Sequence, residues 1–316
     1  MELQDSRIVV TGGAGLIGSV LADRLVTDNE VVVVDDLSNG VRESVPDDAA
    51  FVEGDLTDES VVADAITEDV DAVFHLAADK YVNADRPRQQ METNEGMTYN
   101  VLERMDEVGV SNVAFTSSST VYGEAPLPTP EDFAPLEPIS VYGASKLAEE
   151  GLLSVYAHAH DFTVWNFRFA NIIGPRYGAG VVPDFVYKLG QDPETLTILG
   201  DGRQEKSYMW VDECVDAMCH VVEHADEPVN AYNLGTRTTT SVTRIAEIIS
   251  DEMGVDPEFE YTGGDRGWTG DVPRMRLSIE KLAALGWEPD LSSDESVRKG
   301  ARRILDDPEN EPHLPN

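Results

Sequence analysis

Tyr142 and Lys146 stand four residues apart in VYGASK (141–146), a segment that reads as the start of a helix. Residues at that spacing share one helical face, so the phenol and the ammonium are neighbours. A tyrosine with an unperturbed pKa of about 10 is a poor base at neutral pH. A nearby cation favours the phenolate and lowers that value. The pair is therefore a candidate general base for taking a proton from an alcohol. The spacing arises often by chance, but two other segments support it: TGGAGLIG (11–18) near the start and FTSSSTVYG (115–123) upstream of the pair.

The elements that would position such a base begin with RIVV (7–10), a short β-branched strand, followed by the glycine run and by LIGSVLADRLV (16–26), whose apolar residues recur at helical spacing. Gly13, Gly15 and Gly18 meet the GxGxxG fingerprint, and Gly12, Gly15 and Gly18 form a GxxGxxG pattern. Such glycines permit a tight turn and a close backbone approach to a pyrophosphate. The helix that follows offers free N–H groups and the positive end of its dipole. EVVVV (30–34) then ends at Asp35, seventeen residues after Gly18. An acidic residue at about that distance hydrogen-bonds the adenosine ribose hydroxyls and repels a 2′-phosphate, which favours NAD over NADP. The alternative is a glycine-rich strand–helix turn with no ligand; the flanking strand, helix and Asp35 argue against it.

Apolar strands are expected at 7–11, 30–35, 51–54, 71–77, 112–117 and 163–170, with helices between most of them. This rhythm predicts an α/β fold with a parallel sheet covered on both faces and a ligand at the carboxyl ends of the strands. The glycine loop, Asp35, Asp55, LAAD (76–79) and the serines at 117–119 all fall at or just after such ends. Beyond residue 171 the pattern becomes irregular, with Gly and Pro clusters at 174–180, 199–202 and 262–274. The expected division is a dinucleotide-binding domain over 1–171, to which 205–238 returns as a helix and a strand. A smaller substrate-binding lobe is expected from 172–204 and 239–316.

Composition narrows the function classes. The net charge is −37, from 60 acidic and 23 basic residues, only six of them lysines, and the excess is spread along the chain. Phosphate backbones would be repelled, so nucleic acid is not an expected partner. A folded chain this acidic resembles proteins of salt-accumulating archaea, and a halophilic origin is expected. No apolar run could span a bilayer, and MELQDSR has no basic stretch leading into an apolar one, so a membrane role and a secretory signal are not expected. Cys214 and Cys219 do not have zinc spacing and read as reduced core residues. The expected location is the cytoplasm, with no metal.

TGGAGLIG, the acidic pair at 35–36, GDL (54–56), HLAA (75–78), TSSSTVYGE (116–124), YGASK (142–146) and RFANIIGPR (168–176) follow one another in the order found in the extended short-chain dehydrogenase/reductase family. The chain most resembles its UDP-glucose 4-epimerase group, in an archaeal, halophilic variety, over about residues 7–290. The resemblance implies a Rossmann-type doubly wound parallel sheet with a smaller C-terminal lobe, bound NAD, a nucleotide-sugar substrate, and a homodimer built as a four-helix bundle from helices at about 92–108 and 143–159. It also implies residue roles. Tyr142 takes the proton of the sugar 4-hydroxyl, Lys146 lowers its pKa and holds the nicotinamide ribose, and Ser118 bridges substrate and base. Ser117 and Ser119 are the rivals if the register slips by one. Gly12, Gly15 and Gly18, with Leu16 and Ile17, hold the pyrophosphate. Asp35 holds the adenosine ribose, and Asp36 and Asn39 also bind the cofactor. Asp55 and Leu56 border the adenine, and Leu76, Ala77, Ala78, Lys80 and Asn94 line the cofactor. Asn171 and Lys206 reach the substrate's diphosphate or sugar, with lysine at 206 where the family often has arginine. Trp268 stands where an arginine is common, with Arg266 as its substitute, and Met275 sits at the gate around the sugar's 2-substituent. His75 reads as a packed core histidine.

Three other readings compete. A 4,6-dehydratase carries an Asp-Glu pair after the catalytic hydroxyl residue, whereas Ser119–Thr120–Val121 has no carboxylate. A net dehydrogenase or reductase would exchange NAD(H) at each turnover. A non-catalytic dinucleotide sensor usually loses the Tyr/Lys pair, which this chain keeps. The sugar, the nucleotide base and the pathway are left open by the sequence.

Overall fold

A computed structural model describes residues 1–80, 86–175, 180–264, 266 and 272–306. Its elements in order are β1 (Arg7–Thr11), α1 (Leu16–Leu25), β2 (Glu30–Asp35), β3 (Ala50–Glu53), α2 (Glu59–Ala65), β4 (Ala72–His75), α3 (Pro87–Val108), β5 (Asn112–Ser118), α4 (Val141–Ala159), β6 (Thr163–Phe169), β7 (Asn171–Ile173) and α5 (Val181–Gln191). There follow β8 (Thr195–Ile198), β9 (Glu205–Lys206), β10 (Tyr208–Trp210), α6 (Val211–His224), β11 (Val229–Leu234), β12 (Thr240–Ser241), α7 (Val242–Met253), β13 (Glu258–Tyr261), β14 (Arg274–Met275), α8 (Glu280–Ala284) and α9 (Ser293–Asp306).

Seven strands form one parallel sheet in the order β11-β6-β5-β4-β1-β2-β3. The inner strands are continuous apolar runs because both faces are covered. Ile8, Val10, Val31 and Val33 pack into the core that holds α1 and α6. Val9, Val32 and Val34 pack into the one that holds α2, α3 and α4. The period of two along β1 and β2 thus feeds two cores at once. The order reverses between β1 and β4, which opens a crevice at their carboxyl ends. β4 stops at His75, short of the expected 77. The N–H groups of Leu76 and Ala77 donate to Thr11 Oγ1 at 3.1 and 3.2 Å, that of Leu76 being shared with the Thr11 carbonyl.

α4 begins where Ser140 caps it, its Oγ accepting the Gly143 N–H at 3.1 Å. α3 and α4 pack against each other, leaving Tyr99 and Val155 exposed. β11 pairs in register with β6, from Val229 opposite Val164 to Leu234 opposite Phe169. The remaining described strands are short. They form a pair β10-β7, a triple β12-β9-β14 and a pair β13-β8, beside which α5, α7 and α9 pack together.

Candidate active site

The glycine turn crosses the crevice at the end of β1. Gly12 has a φ of +66°, which side-chain-bearing residues rarely adopt. A Cβ on Gly12 would lie 2.7 Å from the Ala77 N, and one on Gly18 would lie 2.3 Å from the Gly12 carbonyl oxygen. Both glycines are therefore required by close backbone contact. Gly15 begins α1 in extended conformation without a side-chain cap. The first-turn N–H groups of Leu16, Ile17 and Gly18 have no partner within the helix and suit an anion. Asp35, the last residue of β2, is buried and accepts the Ala14 and Leu37 N–H groups, both at 2.9 Å. Burial raises its pKa, and those two bonds oppose the rise. Asp35 therefore belongs to the same turn as the glycines.

Asp36 and Asn39 lie exposed on the loop after β2, where Asp36 Oδ1 accepts the Ser38 N–H at 2.9 Å. Asp55 is exposed and accepts the Thr57 N–H at 2.8 Å. The Leu56 side chain is buried in the core beneath. Leu76, Ala77 and Ala78 are half-buried and Lys80 is exposed. Asn94, from α3, is fully buried. Its amide donates to Ser145 Oγ at 3.0 Å and to the Asp79 carbonyl at 3.1 Å, and accepts the Asp79 N–H at 2.8 Å. It braces the 76–79 segment against α4.

Ser117 and Ser118 differ in their partners. Ser117 is buried and donates to Glu150 Oε1 at 2.5 Å. Glu150 also takes a double bond from Arg168 of β6, at 2.9 and 2.7 Å. Ser117 is thus committed to the core. Ser118 is half-buried at the end of β5 and opens a short helical turn over 119–122, where its Oγ accepts the Thr120 N–H and hydroxyl at 3.2 and 2.9 Å. That turn lies against the start of α4, since a Cβ on Gly143 would stand 2.8 Å from the Thr120 carbonyl oxygen.

Lys146, expected to lower the pKa of Tyr142, is buried; its ammonium donates to Glu149 Oε2 at 3.2 Å and lies 4.4 Å above the Phe115 ring. The Tyr142 phenol is shifted upward, first by burial and then by the Glu149 charge. Glu149 was missed by sequence reasoning, although it stands three residues after Lys146 and seven after Tyr142, on the same helical face. His75 is a buried histidine, as expected, with burial and the Lys146 charge lowering its pKa to about 3.

On the substrate side, Asn171 is half-buried at the start of β7, and its N–H donates to the Ser207 carbonyl at 3.1 Å. Lys206 and Met275 are cross-strand partners in β9 and β14. Met275 is buried with Val121, Tyr122, Ala170 and Leu277. It therefore shares a small core with the turn that follows Ser118. Arg266 pairs with Glu124. Trp268, Gly270 and Asp271 lie outside the described residues.

Residues 8–235 match the model of the NAD dependent epimerase/dehydratase family. The chain is similar to the UDP-glucose 4-epimerase of Mycolicibacterium smegmatis, at 34% identity over 311 residues covering 93% of this chain and 96% of that protein. It matches the crystal structure of a UDP-galactose 4-epimerase with a TM-score of 0.87 and 41% identity, over 95% of this chain and 99% of that one. It also matches the Thermus thermophilus UDP-glucose 4-epimerase solved with NAD, with a TM-score of 0.85 and 30% identity, over 95% and 99% of the two chains. The tight glycine turn, the uncapped start of α1 and the carboxylate of Asp35 are the donor set and acceptor that such a dinucleotide needs. The chain therefore belongs to the NAD-dependent epimerase/dehydratase family, and its cofactor is NAD.

Proposed function

We propose that the protein is a nucleotide-sugar 4-epimerase of the UDP-glucose/UDP-galactose type. The observation that carries this reading is the packing of the first turn of α4, with Tyr142, on the turn that follows Ser118, next to the crevice bounded by Gly12 and Ala77. Gly12, Gly15 and Gly18, with the N–H groups of Leu16 and Ile17, hold the pyrophosphate, and Asp35 takes the adenosine ribose. Tyr142 accepts the proton of the sugar 4-hydroxyl, Ser118 hydrogen-bonds the same oxygen, and Lys146 supplies positive charge beside the developing phenolate. NAD, when bound, accepts the C4 hydride and returns it. The 4-keto sugar turns in the pocket between the two transfers and is reduced on its other face. Asn171, Lys206 and Arg266 are assigned to the diphosphate and sugar. The working form is a homodimer through the exposed faces of α3 and α4, in a salt-rich cytoplasm.

The missing carboxylate at 119–121 supports epimerisation over dehydration, which needs an acid and a base for water loss. The deciding assay supplies UDP-glucose or UDP-galactose to the purified protein with no added NAD. Chromatography is expected to show the same equilibrium mixture from either side. Accumulation of free NADH would point to a dehydrogenase, a dehydrated sugar to a dehydratase, and an unchanged sugar over bound NAD would overturn the proposal.

A further inference from the structure

A chain of buried hydrogen bonds runs from the cofactor loops to Lys146. Thr11 Oγ1 lies 2.8 Å from His75 Nδ1, and His75 Nε2 lies 3.0 Å from Thr98 Oγ1. Thr98 Oγ1 donates to Glu149 Oε2 at 2.9 Å, the oxygen that also receives the Lys146 ammonium. Thr11, His75, Thr98, Lys146 and Glu149 are each at most 1% exposed. Every proton in the chain can be assigned. A carboxylate only accepts, so the one hydroxyl proton of Thr98 is spent on Glu149. Thr98 must then accept from His75 Nε2–H. A neutral imidazole has a single N–H, so Nδ1 is an acceptor and takes the Thr11 proton. The Thr11 oxygen in turn accepts the Leu76 and Ala77 N–H groups. The relay points one way, from the loops at 12 and 76–77 to the carboxylate beside Lys146.

We propose that Glu149 is a positioning residue: by holding the Lys146 ammonium at the end of this relay it sets how readily Tyr142 gives up its proton. The inference rests on the assignment of Tyr142 and Lys146 as base and cation above, and deepens it. A buried ion pair is a poor device for stability, because desolvation consumes most of its attraction. Glu149 Oε1 has no hydrogen-bond partner among the described residues. Its charge is therefore compensated on one side only, and Tyr142 lies on the same face of the helix. The other groups around the pair add no opposing charge: His75 of β4 is neutral, α3 presents Thr98, β5 presents the Phe115 ring, and Glu150 is closed by Arg168 and Ser117.

The test follows the Tyr142 resonance in NAD-loaded protein labelled with ¹³C at tyrosine Cζ, identified by its loss in Tyr142→Phe. Glu149→Gln removes the charge and keeps the hydrogen-bonding shape. Its Tyr142 midpoint is expected about one pH unit below wild type. Glu149→Asp restores the charge and should return the midpoint to within about 0.3 unit of wild type. A Glu149→Gln midpoint no lower than wild type, including a phenol protonated throughout the folded range in both, overturns the proposal. Should Glu149→Gln fail to fold, ¹⁵N resonances of His75 in the wild type still decide it. Protonated Nε2 and bare Nδ1 down to about pH 5 are expected, and an Nδ1–H tautomer overturns the relay. Neither measurement uses a sugar. Failure to epimerise would therefore overturn the function and leave these readings standing.

Discussion

The sheet half and the C-terminal part hold their charges differently. Behind the site, Lys146–Glu149 within α4 and Arg168–Glu150 between β6 and α4 are both buried, and both carboxylates also accept hydroxyl hydrogen bonds, from Thr98 and Ser117. Around α7 and α9 the pairs lie largely in water. Arg237 holds Glu280 and Glu288, Arg244 holds Glu247 and Asp294, and Arg302 holds Glu252. A buried pair survives only if its remaining donors and acceptors are also met, and losing one partner strands a charge in the core. An exposed pair is worth about 0–1 kcal/mol. The protein therefore concentrates its sensitivity to substitution behind the turn that Ser118 opens.

Tyr142→Phe should show the largest effect, because it removes the proposed base. Turnover should fall by about 10²–10⁴-fold while the fold and bound NAD are kept. Activity within a factor of about three of wild type, in the sugar interconversion assay, would sink the assignment of the base. Arg168→Ala sharpens the comparison next. It should cost about 3–5 kcal/mol in denaturant unfolding, whereas Arg237→Ala should cost about 1 kcal/mol or less. Equal costs for the two would erase the distinction between the regions. Salt acts on both. A net charge of −37 strains the folded state through self-repulsion. Screening lengths shrink from about 10 Å at 0.1 M to about 3 Å at 1 M. The melting temperature should climb steeply with KCl across that range even as the exposed pairs weaken, and a flat curve would contradict this. Asp35→Ser should relax the choice between NAD and NADP by about tenfold, read by titrating both dinucleotides. Equal binding of the two by the wild type would show that Asp35 does not discriminate.

How much could be read beforehand divides along the same line. The glycine turn, the end of β2 at Asp35 and the Tyr142/Lys146 face depend on short stretches of chain, so periodicity and spacing exposed them. β11 was legible as AYNLG although it is an edge strand that carries the buried amides Asn230 and Asn233. The true partner of Lys146 was half visible. Glu149 lies on the same helical face, but its burial depends on Thr98, 51 residues away on α3. Ser117 and Ser118 look alike in sequence. Only the position of Glu150 across the β5–α4 contact separates the core serine from the one at the edge. The substrate side was least legible, since β7, β9, β12 and β14 are two or three residues long and are made by distant pairing alone.

Met275 is where that short-strand side meets the turn that Ser118 opens, and it yields the smallest and most local prediction. Its backbone pairs with Lys206, and its side chain is buried in one cluster with Val121 and Tyr122, of the turn that Ser118 opens. A change of volume at 275 is therefore felt within a few residues of the base. Methionine is unbranched at Cβ and repacks around neighbours of different size. We expect the wild type to turn over UDP-N-acetylglucosamine beside UDP-glucose, because Met275 can yield to the bulk of a 2-acetamido group. Met275→Tyr puts a rigid ring in that place and should reduce the acetylated-to-plain turnover ratio by about fivefold, the low end of what a reshaped apolar pocket contributes. Met275→Leu, nearly equal in volume, should leave the ratio close to wild type and controls for general disturbance of the core. Competition between the two sugars in one reaction reads the ratio directly. No turnover of the acetylated sugar by the wild type, or the same ratio in Met275→Tyr, would remove Met275 from the pocket wall and leave its packing on Tyr122 as its whole role.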